Sequence, residues 1–272
     1  MRQRFCEAPG PLLVNPALAF AILAGVFGLT LGSAITAIAW RVPRGISWFH
    51  GRSACPKCDT PLRVLDLIPL VSFALSLGRC RHCGVRVAWR YPLTELWCAV
   101  WAVLLFRLVG PSWLWPPLAI WGALLVALFW IDLDEQLLPD VLTFPGTLFG
   151  VAAALQLPHG ARHGLLGVAA GSGLLWLLAW IWIRVRKIEG LGGGDIKLAA
   201  MFGVVLGWKL TLFTLFLAAL AGTLWGGILI ARGLGDGKPA LPFGVLLAPA
   251  AMVALLWGDR WLGAYAHLLA GN

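Results

Sequence analysis

Long, nearly uncharged apolar runs constrain this chain more than anything else in it. A helix needs about 20 apolar residues to cross a bilayer, fewer where it is short or where the bilayer thins. Such runs occupy residues 15–40, 93–110, 115–131, 141–158, 164–183, 196–208, 210–231 and 241–258. Hydrocarbon offers no partner for a backbone N–H or C=O, so each run must satisfy its own and be helical. The pattern predicts an all-α polytopic membrane protein with about eight transmembrane helices. The sixth run is short and carries Gly203 and Gly207, so its limits are the least sharply drawn. Only 12% of the 272 residues are charged, about half the share in a soluble domain. The sixteen Trp suit interfacial belts. The first run, from about Leu12 to Trp40, outlasts a signal-peptide core and reads as a span rather than a cleaved leader.

Charge fixes the orientation. Between Arg41 and Pro92 nine Lys and Arg face only Asp59 and Asp66, which accounts for +7 of the net +9. This is the one sizeable loop, and its cations place it in the cytoplasm. The clustering speaks for membrane topology and against nucleic-acid binding. Alternating sides from there puts Arg184, Arg186, Lys187, Arg232 and Lys238 inside as well. The expected external connections, 111–114 and 159–163, carry Arg162 alone, and the N-terminus is expected outside. Three regions follow: 1–40 with the first transmembrane helix, the cytoplasmic loop 41–92, and the remaining membrane region 93–272.

The loop holds two C-x-x-C pairs, Cys55 with Cys58 and Cys80 with Cys83, separated by 21 residues. Four thiolates at this spacing can surround a tetrahedral Zn²⁺, each pair delivering two sulfurs from one tight turn. A segment of about 50 residues buries little core, so a metal staple suits it. A reducing compartment disfavours disulfides here. His82 is a possible substitute ligand, while Cys6 and Cys98 fall outside the pattern.

Two acids stand out against the apolar background. Asp132 ends the third run, and Asp195 closes the sequence Glu189-Gly-Leu-Gly-Gly-Gly-Asp195 at the start of the sixth. An intramembrane carboxylate is a functional-site candidate by default. The topology puts both at the cytoplasmic boundary. Two nearby carboxylates in low dielectric do not both ionise, so one serves as base while the other donates a proton. Such a pair can activate water and polarise a scissile carbonyl. The three glycines before Asp195 permit close backbone approach by a peptide or a neighbouring helix. They are not a phosphate loop, since no Lys-Ser/Thr follows. Asp134, Glu135 and Asp140 read as a helix end at the interface, and Glu95 as a partner for Arg90 or as a brace for the loop.

These residues together resemble the type IV prepilin leader peptidases, bifunctional peptidase/N-methyltransferases with a Gly-x-Gly-Asp motif. The resemblance runs through Gly32-Ser33 with Arg41 to Arg44, Ser53 to Cys58, Ile68 to Ser72, Gly78 to Gly84 and Trp89 to Glu95. It continues through Ile131 to Asp140, Glu189 to Leu198 and Pro242 to Gly244. It implies that 93–272 is an aspartic peptidase domain with Asp132 and Asp195 as its catalytic pair. It implies cleavage of a basic leader from prepilin or pseudopilin precursors after a Gly, at the cytoplasmic side of the bacterial inner membrane. It also implies S-adenosylmethionine-dependent methylation of the new N-terminal residue, the partners being precursor proteins and membrane lipid. Two readings from other classes compete: an ion- or proton-coupled transporter with Asp132 and Asp195 as a relay, and an assembly scaffold built on the zinc loop.

Overall fold

A computed structural model of the chain describes residues 16–47, 51–157, 160–187, 192–233 and 242–270. Its α-helices are α1 (Pro16–Arg41), α2 (Val71–Leu75), α3 (Arg90–Val109), α4 (Trp115–Glu135), α5 (Asp140–Ala154), α6 (Gly160–Arg186), α7 (Gly193–Ala231), α8 (Phe243–Val253) and α9 (Asp259–Leu269). Among the described residues there is no strand, only two isolated β-bridges in the loop between α1 and α3. Six helical stretches are long and apolar enough to cross a membrane, and α5 is a shorter apolar helix. Cys6, Lys238 and Glu189 to Leu191 lie outside the described residues.

The helices follow the hydropathy reading with local departures at their ends. The fourth run ends as α5 after 15 residues, where Leu155, Gln156 and Leu157 turn back on the preceding carbonyls. The sixth and seventh runs are, as expected, two helices, which meet at a kink at Gly207 with φ 67° and ψ 175° and are labelled together as α7. That backbone favours glycine, and a Cβ there would lie 1.8 Å from Nε2 of His163. The last run continues through a π-helical turn at Ala254–Gly258 into α9, so it ends at Leu269 rather than 258.

Helix α4 is the central post. Trp121, Leu125 and Leu128 are fully buried on it, and the Trp121 indole N–H donates to the Met201 carbonyl of α7 at 3.0 Å. Small residues set the other contacts, as expected where packing rather than water exclusion joins helices. A Cβ on Gly28 of α1 would sit 2.5 Å from the Cys98 carbonyl of α3, and one on Gly167 of α6 only 1.9 Å from the Gly203 carbonyl of α7. The outward faces of α1 and α6 are themselves apolar, with Leu23, Leu165, Trp176 and Ile183 exposed. Large apolar side chains facing outward suit lipid as the surrounding solvent. Near the end of α6, Arg184 lies over Trp180 at 5.1 Å and Arg186 over Trp182 at 5.5 Å. That is the chemistry of a membrane–water interface.

The Gly167 contact carries a prediction. Gly167→Ala inserts a methyl group into a backbone-to-backbone approach with no side chain to give way, so α6 must move off α7. The expected cost is about 1–3 kcal/mol, read as a lower thermal midpoint in detergent. An unchanged midpoint would show that α6 and α7 do not meet this closely.

Candidate active site and metal centre

Asp132 occupies the last turn of α4. The helix runs past it because Gln136, at φ 52°, terminates α4 by donating its N–H to the Asp132 carbonyl. This turns the Asp132 side chain inward, where it is 5% exposed. Its Oδ2 accepts the Val245 N–H at 2.9 Å, in the first turn of α8. Helix N-termini favour carboxylates through their free amides and positive dipole end. Gly244 makes room for this arrangement: a Cβ there would lie 2.6 Å from the same oxygen.

Asp195 occupies the first turn of α7, half-buried, with its N–H on the Gly192 carbonyl at 3.1 Å. The α4–α5 turn joins the two acids. Leu138, buried in that turn, would lie 2.9 Å from a Cβ on Gly194, next to Asp195, and 3.3 Å from one on Gly244. One leucine thus seats the N-termini of α7 and α8 side by side, one carrying Asp195 and the other held against Asp132. The structure brings together the two aspartates singled out by the sequence. Paired carboxylates in a partly dry site can divide the roles of base and acid.

Three ion pairs tie the neighbouring acids to other elements. Arg90 at the start of α3 grips Asp134 of α4 through both guanidinium nitrogens, with Nη2 2.7 Å from Oδ1, and lies over the Trp130 ring at 4.6 Å. Arg44 reaches Glu135 at 3.7 Å, and Lys197 of α7 reaches Asp140 at 2.6 Å. All three interface acids are therefore paired. Glu95 is not the partner of Arg90: its Oε2 accepts the Leu70 N–H at 2.8 Å, so it braces the loop against α3.

In that loop the two C-x-x-C pairs form matching turns. The Cys55 and Cys80 N–H groups donate to the carbonyls of Thr60 and Val85 at 3.1 and 2.8 Å. The residues after each pair, Asp59 and Gly84, both adopt positive φ. Ala54 bridges to Pro61 and Arg79 to Arg86, closing each turn at its base. The four Sγ atoms lie within 4.8 Å of one another, with Cys55 and Cys83 3.8 Å apart. A Zn–S bond of about 2.3 Å requires about that tetrahedral edge, so the residues fit the metal. The Thr60 hydroxyl and N–H pull the Cys58 thiol down from 9.0 to about 6. The amides of Cys83 and His82 lower Cys80 as well. Metal-ligating sulfurs are thiolates, which these bonds favour at Cys58 and Cys80; at Cys83, despite the Val85 amide, burial and the neighbouring thiols push the thiol up to about 11. His82 is not among the clustered ligands, and Cys98 is buried in the helical core.

With this geometry in place, the relatives are informative. Residues 26–109 match the Bacterial Peptidase A24 N-terminal domain, and residues 118–227 match the Type IV leader peptidase family. A protein of Aeromonas salmonicida (strain A449) is 41% identical over 220 residues, covering 77% of this chain and 74% of its own. The chain belongs to the type IV leader peptidase family. That Aeromonas salmonicida relative bears the name prepilin leader peptidase/N-methyltransferase. So do relatives from Stutzerimonas stutzeri, at 32% identity over 94% of this chain and 97% of its own, and Burkholderia pseudomallei (strain K96243), at 34% over 97% and 94%. No solved structure is significantly similar to the chain.

Sequence reasoning alone did not single out a site role for Gly244, the Val245 amide or Leu138. Gly244 lies in a segment similar to the last-span motif of this family, which is the signal that leads to it. The ion pairs of Arg90 and Lys197 span 44 and 57 residues and leave no local signature.

The metal centre makes its own prediction. Cys58→Ser removes one of four ligands, and structural zinc contributes roughly 10–16 kcal/mol to folding in zinc-finger peptides. Zinc content should fall well below one ion per chain, and the loop should become susceptible to protease. Unaltered zinc stoichiometry would contradict the four-cysteine centre.

Proposed function

We propose that this protein is a membrane aspartic peptidase that removes the basic leader from type IV prepilin-like or pseudopilin precursors. Cleavage follows a Gly at the cytoplasmic face of the bacterial inner membrane. The new N-terminal residue is then N-methylated from S-adenosylmethionine. The observation that carries the reading is that Leu138 packs against both Gly194, next to Asp195, and Gly244, which lies against the Asp132 carboxylate. A carboxylate carried on an apolar span and turned inward is a functional-site candidate by default, and here two share one packing contact. The relatives' shared name supports both activities.

In the mechanism one carboxylate takes a proton from water, which attacks the carbonyl carbon of the scissile Gly. The other, protonated, donates to the carbonyl oxygen as charge develops there. The C–N bond then breaks as one carboxyl gives its proton to the leaving amine and the other takes one back from the hydroxyl of the tetrahedral intermediate, so both return to their starting state. The Val245 amide holds Asp132 in place throughout. Cys55, Cys58, Cys80 and Cys83 would hold zinc, which would give the loop rigidity and take no part at the scissile bond. The methyl donor supplies an electrophilic methyl group once the cut is made.

The domain reading completes the proposal: 1–40 as N-terminal segment and first span, 41–92 as the cytoplasmic zinc domain, and 93–272 as the peptidase domain. Eight spans arise when α5 counts as one and α7 as two, divided at Gly207. The transporter alternative draws no support from the relatives. The test incubates purified protein in detergent with a pilin-like precursor and follows product mass with and without S-adenosylmethionine. Loss of the leader, and a further gain of one CH₂ with the donor present, is expected. Failure to cut several precursors would overturn the reading.

A further inference from the structure

One segment of the loop between α1 and α3 has its polarity reversed. From Val64 to Leu77 it reads Val-Leu-Asp-Leu-Ile-Pro-Leu-Val-Ser-Phe-Ala-Leu-Ser-Leu, and it folds as a 3₁₀ turn (Val64–Leu67) followed by α2. Its polar side chains turn inward. Asp66 accepts the Arg63 N–H at 3.0 Å and pairs with Arg81 at 3.3 Å. Ser72 and Ser76 line a cavity of about 420 Å³ that the loop encloses with α1 and α3. Most of its apolar side chains turn away from that cavity: Val64, Leu65, Ile68 and Val71 are exposed, Leu75 is 72% exposed and Leu77 86%. So contiguous an apolar face marks a surface that something covers.

We propose that residues 64–77 are an interfacial membrane segment. Their exposed apolar side chains enter the leaflet on the loop's side, and Arg63 and Arg79, exposed at the two ends, meet anionic lipid headgroups. The depth is set by α3. Glu95 stands about 7.5 Å along that helix from Arg90, within its apolar run, and its Oε2 accepts the Leu70 N–H at 2.8 Å. The Phe73 ring lies 5.0 Å from that of Trp89, the residue just before α3. Trp89 is itself exposed, as a Trp at a membrane–water interface is. These two contacts pin the segment at the level where α3 enters the bilayer.

Backbone and charge both suit lipid. A donor that faces acyl chains needs its partner within the protein. The N–H groups of Leu70, Ser72, Ala74, Ser76 and Leu77 all have one, at 2.8–3.1 Å. Between Arg41 and Pro92 nine Lys and Arg stand against Asp59 and Asp66, and Asp66 is taken up by Arg81. Cations beside an apolar face are the pattern of a segment that lies on anionic lipid. The same surplus disfavours a basic leader as the occupant. The lipid surface is also continuous with the segment, because α1 and α3, its neighbours on either side, are long and apolar enough to cross the bilayer.

The test is photolabelling in a bilayer. Full-length, zinc-loaded protein is placed in vesicles of phosphatidylethanolamine and phosphatidylglycerol whose acyl chains carry a diazirine. Trypsin releases the segment as one peptide, 64–79, because Arg63 and Arg79 bracket it. That peptide should be labelled comparably to 163–184 of α6, while 58–63 of the same loop should carry little label. Leu75→Glu combined with Leu77→Glu should cut the label on 64–79 by about fivefold or more and leave zinc content unchanged, since both positions are exposed. Replacing phosphatidylglycerol with phosphatidylcholine should lower it too, and equal label in both vesicles would remove the headgroup role of the two arginines. Label on 64–79 no higher than on 58–63, with 163–184 labelled, would overturn the proposal and point to a precursor or a second copy as the occupant. Undiminished label in the double variant would overturn it as well. None of these outcomes depends on the reaction at the aspartates.

Discussion

Asp195→Asn and Asp132→Asn should each lower leader cleavage by about a thousandfold or more while leaving the protein folded. General acid–base groups contribute roughly 10²–10⁴ in rate, and members of one catalytic unit lie at the upper end. The amide is nearly the same size as the acid, so packing survives. At 132 the side-chain oxygen of Asn can still accept the Val245 N–H that Asp132 holds at 2.9 Å. Removing a carboxylate from a largely dry site also relieves desolvation, so stability should hold or rise slightly. Zinc content reports on the loop and should not change, because its ligands lie between Cys55 and Cys83. Cleavage lost together with zinc would indicate misfolding and not lost chemistry. Activity retained in either variant would contradict its catalytic role.

Gly244→Ala should separate activity from stability in a different way. The added methyl would stand 2.6 Å from Oδ2 of Asp132 and 3.0 Å from its Cγ. Those atoms end a short, rotatable side chain, so the carboxylate yields and the backbone does not. The cost falls on the chemistry: a misplacement of about 1 Å at a reacting group is worth up to roughly 10² in rate. We expect cleavage reduced about ten- to hundredfold, a thermal midpoint close to wild type, and little change in precursor affinity. A large drop in midpoint with proportionate loss of activity would show that Gly244 serves packing instead. Full activity would show that Asp132 is not held against α8.

The helices were legible because lipid imposes one rule on every span, and the apolar runs state it openly. Their ends were less legible. Nothing in residues 128–136 alone shows that α4 continues past Asp132, since its end depends on Gln136 adopting positive φ. Nor does local composition reveal that the break between the sixth and seventh runs is a single residue, Gly207 at φ 67°, with His163 of α6 lying against it. The four cysteines were legible through spacing, and the structure adds the Thr60 and backbone contacts that suit them to metal. Asp132 and Asp195 were legible as misplaced charges. What joins them, through Leu138 and the first turn of α8, was not: Val245 lies 113 residues from the carboxylate it holds. Glu95 shows the same limit, since its sequence neighbour Arg90 was the obvious partner and the distant Leu70 amide is the actual one.

The central claim is that Asp132 and Asp195 work as one unit, and a comparison of single and double variants tests it most directly. Cleavage of a pilin-like precursor by purified wild type, Asp132→Asn, Asp195→Asn and the double variant is followed by product mass under one set of conditions. If the pair shares a single proton-transfer task, all three variants fall to the same residual rate, because the second substitution has nothing left to remove. A double variant slower than either single by the product of their separate effects would contradict the account, as would one single variant that still cuts.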